Sequence, residues 1–235
     1  MQGEGLLVIR LSALVVAVAV VGFSQAASHV PDTLPARATA KLGTSLDAAK
    51  PHAKHLWRDT PPINADGTIN GYIEIARGDR QKWEFDIAKH ERALDRVIPE
   101  SIGGYPINYG IVPQTVSYDG DPFDILVLGP PIEGGTFVRG LPVGLMLMED
   151  DHIVDSKVVV TPLGADGKAL YEITETVRRE VTSFFNRYKS HEPEASTSVP
   201  GWGTGDAGMA LVRQTHAFFL QCRGKSGDCP IALQK

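Results

Sequence analysis

Three carboxylates fall within six residues in the segment Asp119-Gly120-Asp121-Pro122-Phe123-Asp124. Like charges this close raise one another's pKa, so gathering them is costly unless something positive sits among them. Gly120 and Pro122 impose a turn, and the apolar run after Asp124 would anchor it as a strand. Clustered hard oxygen ligands of this kind suit Mg²⁺ or Ca²⁺. A solvated acidic turn is the alternative that composition alone leaves open. An EF-hand does not fit, because the later glutamate is missing and the flanks are not helical.

A second acidic group, Glu149-Asp150-Asp151 with Asp155, strengthens the metal reading. Strand alternation puts Asp155 and Lys157 on one face. A cation beside a metal-binding carboxylate is odd for a calcium site, but it suits a polyanionic substrate held between metal and lysine. Lys82, Arg96, Tyr109, Tyr188 and Lys189 are further donors such a substrate could use, although each alone also reads as a surface residue.

The elements that must position these groups change period along the chain. Residues 71–76 and 82–86 alternate as half-buried strands, and 124–128 form a short apolar strand stopped by Gly129-Pro130-Pro131. Further strands are expected at 137–138, 143–148 and 153–160. Close-spaced short strands suggest a barrel or a sandwich. Ile173, Val177, Val181, Phe184, Phe185 and Tyr188 then fall at helical spacing. After the glycine-rich break at 200–205, Asp206 is expected to cap a second helix carrying Met209, Val212, His216 and Phe219. Helices segregated after strands make an α+β domain, over 69–220. Residues 27–68, rich in Pro, Ala, Lys and Thr, read as an extended lead-in.

The chain has 235 residues and a net charge of −5, which argues against a nucleic-acid-binding protein. Arg10, the apolar run Leu11 to Phe23 and Ser24-Gln25-Ala26-Ala27-Ser28 have the layout of a secretory signal peptide, residues 1–26, with cleavage after Ala26. The expected location is periplasmic or secreted, with no stable membrane insertion after cleavage; an uncleaved anchor is disfavoured because thirteen apolar residues span a bilayer poorly. The only cysteines, Cys222 and Cys229, lie in a C-terminal tail (221–235), and Gly224 and Gly227 would let them meet. In an oxidising compartment a disulfide is expected, two free thiols being the alternative. Two cysteines cannot make a four-ligand zinc site.

From about residue 69 to 203 the chain resembles the soluble inorganic pyrophosphatases of family I. Asp119 to Asp124 resembles that family's diagnostic pattern of three aspartates around Asp-Pro. In the same order come Ile73-Glu74-Ile75, the Lys82 and Glu84 pair, Asp95-Arg96, the segment Tyr105-Pro106-Ile107-Asn108-Tyr109-Gly110, the strip of Asp150, Asp155 and Lys157, and Phe184-Phe185 with Tyr188-Lys189. The resemblance implies a small closed OB-like β-barrel with C-terminal helices packed against it, and Mg²⁺-dependent hydrolysis of pyrophosphate to two phosphates. It implies several Mg²⁺ ions per site, with Mn²⁺ or Zn²⁺ as possible substitutes. Asp119, Asp124, Asp150 and Asp155 would be metal ligands, with Glu74 and Glu84 helping through water. Asp121 would take or orient the proton of the attacking water. Lys82, Arg96, Tyr109, Lys157, Tyr188 and Lys189 would bind the substrate. A homo-oligomer is also implied. The export signal, the long lead-in and the cysteine-bearing tail depart from the family pattern, and Ser190 to Val199 lacks the lysines often found there. Other readings are a hydrolase of short polyphosphates, a barrel that binds cations or polyanions without turnover, and an oligonucleotide-binding barrel, which the acidic groove disfavours.

Overall fold

The computed structural model describes residues 30–223; the expected signal peptide and Cys229, the proposed partner of Cys222, lie outside them. Nine strands and four helices are present among the described residues. Strands β1 (Ile69–Ile75), β4 (Asn108–Ile111), β5 (Asp124–Val127), β8 (Lys157–Pro162) and β6 (Phe137–Asp150) pair in that order, and β6 returns to pair with β1. The ring therefore closes as a five-stranded barrel of the OB-like kind, which leaves no free edge around its circumference. Only β5 and β8 run parallel; the other ring pairs are antiparallel. The long β6 also carries β7 (Ile153–Val154) and β9 (Thr197–Thr204). A separate hairpin, β2 (Gln81–Asp86) with β3 (Glu91–Val97), projects beside the ring.

Alternation divides the core. Ile125 and Val127 join one buried cluster with Leu42, Leu46, Trp57 and Phe219, while Leu126 and Leu128 join another with Val181, Phe184 and Phe185. Adjacent strand residues thus serve opposite faces, and a helix covers each. The helices are α3 (Glu175–Phe185) on one side and α4 (Gly205–Cys222) on the other. Gly110 of β4 is required by close approach: a Cβ there would lie 1.9 Å from the carbonyl oxygen of Tyr72. The α+β barrel with C-terminal helices agrees with expectation.

Several local expectations are corrected. The lead-in is not extended over its length, because it contains α1 (Ala36–Ala49) and the short α2 (Leu56–Asp59). Its prolines mark boundaries and not an irregular path: Pro35 is the N-cap of α1, and Pro51 follows its C-cap. Between them Ala38, Leu42, Leu46 and Ala49 recur at helical spacing and are buried. The glycine-rich stretch before α4 is β9, where Gly201 and Gly203 stand opposite Leu147 and Leu145. Thr204, not Asp206, caps α4, its hydroxyl accepting the Ala207 N–H. The two strands expected at 137–148 are one continuous β6, since its glycines pair without ending it.

Three histidines bind this N-terminal extension to the β2–β3 hairpin. His52 and His55 donate through Nε2 to the carbonyls of Ala88 and Ile87 at 3.0 and 2.9 Å, and His90 Nε2 accepts the Leu56 N–H at 2.9 Å. Their ring centroids lie 4.5–5.4 Å apart. His55 also accepts the Arg58 N–H through Nδ1 and His90 accepts through Nε2, so each of these two rings is held with one unprotonated nitrogen, in the neutral form. Trp57, fully buried, donates to the carbonyl of Thr115 at 3.0 Å and carries the clasp into the core.

Candidate active site

The barrel assembles its carboxylates from strand ends. Asp124 opens β5, Asp155 lies two residues before the start of β8, and Asp150 closes β6. Parallel pairing of β5 with β8 brings Asp124 and Asp155 to one side of Lys157, the first residue of β8. The Lys157 Nζ lies 2.5 Å from Asp124 Oδ2 and 2.9 Å from Asp155 Oδ2, and its side chain is 2% exposed. Burial alone would lower its pKa; the two adjacent carboxylates outweigh that and raise it, so the ammonium stays charged. The same cation lies over the rings of Tyr109 and Phe185, at 5.6 and 5.8 Å from their centroids.

One buried ammonium does not neutralise the cluster. Burial pushes Asp155 well above the ordinary carboxylate range; Lys157 opposes this, and the charges of Asp124 and Asp119 add to it. Asp119 is pushed up in the same way, by burial first and then by Asp121. Glu74, on β1 and buried, accepts the Phe85 N–H at 2.6 Å, yet desolvation still holds its carboxyl well above the usual range. Asp124 and Glu84 add repulsion there. These groups are short of positive charge, and their donors are all oxygens.

That donor set fits Mg²⁺. Among the described residues no three acidic side chains already converge on a single point, because Lys157 stands between Asp124 and Asp155. Mg²⁺ does not need such a cage: it keeps several waters and takes one or two carboxylates together with substrate phosphates. Asp119, Asp124, Asp155 and Asp150 are the residues that would hold it, with Glu74 behind them.

The remaining predicted residues form two flanks. On one, Asp150 accepts from the Tyr188 hydroxyl at 3.0 Å and from Lys189 Nζ at 2.6 and 2.7 Å. Tyr188 also feels the charge of Asp155, which joins this flank electrostatically to the centre. On the other, β2 and β3 place Lys82 opposite Arg96. Lys82 pairs with Glu84 at 2.5 Å and with Asp95 at 3.1 Å, while Arg96 pairs with Glu192 at 2.8 Å. Glu192, from the loop after α3, had no motif to mark it.

A common pattern emerges. Lys82, Arg96, Lys157 and Lys189, the four cations assigned to substrate, are each held by a carboxylate. A divalent cation and a polyphosphate arriving together would satisfy both sets, the acids turning to metal and the bases to phosphate oxygens.

Asp121 stands apart. Its side chain is 52% exposed, and it pairs at 2.6 Å with Lys41 of α1, a residue from the stretch read as lead-in. No sequence signal pointed to Lys41. Asn108, by contrast, lies within a quoted segment and serves structure: its buried amide accepts from the N–H groups of Arg77 and Ile132 and donates to the carbonyls of Val127 and Pro130. It fixes the strand that carries Tyr109.

The family described as inorganic pyrophosphatase matches residues 71–219. An inorganic pyrophosphatase from Halobacterium salinarum is 37% identical over 175 residues, covering 70% of this chain and 96% of that protein. One from Saccharolobus solfataricus is 35% identical over 151 residues, 61% of this chain and 87% of that one. The crystal structure of inorganic pyrophosphatase from Thermus thermophilus superposes with a TM-score of 0.63 at 32% identity, covering 70% of this chain and 98% of that one. α1 lies before the matched segment. Barrel, carboxylate order and these relatives agree: this chain belongs to the inorganic pyrophosphatase family.

Proposed function

We propose that the protein hydrolyses inorganic pyrophosphate to two phosphates and depends on Mg²⁺ to do so. The observation that carries this reading is the group of partly buried Asp119, Asp124 and Asp155 with buried Glu74, left short of positive charge and flanked by cations suited to phosphate oxygens. Bound Mg²⁺ would supply two things, acidification of a water and neutralisation of phosphate charge.

The chain's own residues do the rest. Asp121, exposed at the tip of the turn, accepts the proton of the attacking water. Lys157, which is paired with Asp124 and Asp155, would meet a phosphate oxygen from the barrel side. Lys189 and Tyr188 approach from one flank, Lys82 and Arg96 from the other, so charge on the departing phosphate is met by donors already in place. Tyr109, partly buried beside Lys157, has its pKa raised by desolvation and then by Asp124 and Asp155. It stays a neutral hydroxyl, able to donate to a phosphate oxygen.

The test is phosphate release from pyrophosphate by the purified chain, with Mg²⁺ and with excess chelator, and with tripolyphosphate in parallel. Rapid release from pyrophosphate that chelator abolishes is expected. A folded protein that releases nothing with any of several divalent metals would turn the reading to binding without turnover. Export rests on the sequence of residues 10–28 alone. It predicts a mature N-terminus at Ala27, which mass spectrometry of the native protein would detect or refute.

A further inference from the structure

The N-terminal extension reaches the catalytic turn directly. α1 buries Ala38, Leu42 and Leu46 in the same cluster as Phe123 of that turn and Ile125 of β5. The segment leading into α1 is tied down as well, since the Pro31 carbonyl accepts from the Tyr118 hydroxyl at 2.7 Å and from Gln214 at 2.9 Å. The helix sits against the turn so closely that a Cβ on Gly120 would lie 2.8 Å from Lys41 Cβ and 3.1 Å from Ala38 Cα. With φ at +90° as well, glycine is needed at this position on two counts.

Three hydrogen bonds shape the backbone of the turn. The Ser117 N–H donates to the Asp121 carbonyl at 2.6 Å, the Gly120 N–H to the Ser117 carbonyl at 3.0 Å, and the Asp121 N–H to Asp119 Oδ1 at 3.0 Å. What these bonds leave undetermined is the direction of the Asp121 carboxylate. Among the described residues, Lys41 is the side chain that bonds it. We infer that Lys41 is a positioning residue, through which α1 sets the orientation of the Asp121 carboxylate for its encounter with the attacking water.

Stability is a poor explanation for the pair. Both side chains are about half exposed, at 48% and 52%, and exposed pairs add little to folding. Orientation is a different matter, because turnover is sensitive to small displacements of a reacting group. Asp121 Oδ2 is taken by the ammonium, which leaves Oδ1 as the oxygen free to accept a proton. The extension is then a part of the active site that the family's shared segment does not include.

This inference rests on the reading of Asp121 as proton acceptor, and the experiment separates the two. Lys41→Ala, Lys41→Arg, Asp121→Asn and the double variant Lys41→Ala/Asp121→Asn are compared in the full chain for kcat, KM, Mg²⁺ affinity by calorimetry and melting temperature. Lys41→Ala should lower kcat about three- to tenfold, with KM, Mg²⁺ affinity and melting temperature close to wild type. Lys41→Arg should recover most of the loss. Adding Lys41→Ala to Asp121→Asn should cost nothing further, since there is no carboxylate left to orient. Arg37→Ala, an exposed cation elsewhere on α1, should leave kcat unchanged and so exclude a general charge effect. If Asp121→Asn turns over normally, the role of Asp121 itself is lost. If Asp121→Asn is slow while Lys41→Ala has wild-type or higher kcat, or changes only KM or melting temperature, the positioning role of Lys41 is overturned and that of Asp121 stands.

Discussion

The carboxylate end of the barrel and the histidine clasp of the extension face the same physical problem and solve it differently. Both hold ionisable groups close enough to repel if they carry like charge. At the barrel, burial and mutual repulsion push Asp119 and Asp155 up to about 6 and about 8, and Lys157 supplies one buried positive charge against them. At the clasp, burial lowers His55 and His90, and the neighbouring His52 and Arg58 lower both further. His55 and His90 can be neutral and still bond, His90 by accepting and His55 through both ring nitrogens. The aspartates have no such option if they are to bind metal. One cluster is complete as it stands; the other, on the function proposed above, is completed by a divalent cation.

The comparison makes the barrel end the place where charge matters for turnover. Asp121→Asn should fold normally and turn over at least about a hundredfold more slowly, the loss usual for a group acting only in the transition state. Steady-state kinetics beside a melting curve would show it, and near-normal turnover would break the distinction. Lys157→Met should act on stability as well. Removing one partner of a buried ion pair leaves charge uncompensated, at a cost of about 3 kcal/mol or more, so the metal-free variant should unfold in much less urea. Mg²⁺ should restore part of that loss by binding only the folded chain. A metal-free midpoint like that of wild type would mean that the buried pair is not what holds Asp124 and Asp155 together.

The clasp should show a smaller effect with the opposite dependence on pH. A histidine whose folded pKa is lowered contributes stability above its unfolded value of about 6.5, and that stability is lost as pH falls. With Mg²⁺ saturating, so that the carboxylates are held constant, the melting temperature should fall as pH drops below about 6.5. The groups facing one another there are His52, His55, His90, Arg58 and Asp59; Asp59 opposes the loss by pairing with Arg58 and accepting the His55 N–H. His90→Gln keeps an acceptor for the Leu56 N–H but removes a ring whose pKa is lowered, so its acid loss should be shallower. An identical pH profile for the two proteins would exclude the clasp as the acid-sensitive element.

How much was legible in the sequence follows the same division. The barrel end could be read because its chemistry is written locally: Asp119, Asp121 and Asp124 share one turn, and Asp155 and Lys157 share one face of a strand. The partners that complete it could not, because they arrive from distant segments with no pattern of their own. Glu192 reaches Arg96 from the loop after α3, and Lys41 reaches Asp121 across 80 residues. The extension differs from its sequence expectation for another reason: Pro31, Pro35 and Pro51 are loop signals, and the buried stripe Ala38, Leu42, Leu46 and Ala49 lies between two of them. Likewise, the glycines of β9 look like a break in sequence although they pair with β6, where a Cβ on Gly203 would lie 3.3 Å from Leu145 Cβ. Periodicity reports a face that packs; it is silent about what packs against it.

The most direct measurement of the central claim is the melting temperature of the full chain at pH 6 and pH 9, metal-free and with millimolar Mg²⁺. A carboxyl whose folded pKa is raised contributes stability below its unfolded value, near 4, and loses it as pH rises through the folded one. For Asp119 and Asp155, raised to about 6 and about 8, that loss is far advanced by pH 9. The metal-free protein should therefore melt lower at pH 9 than at pH 6, and Mg²⁺ should raise both values, the one at pH 9 by more. Melting that is indifferent to Mg²⁺ at both pH values would contradict the account, because the carboxylates would then have no need of the cation they are proposed to hold.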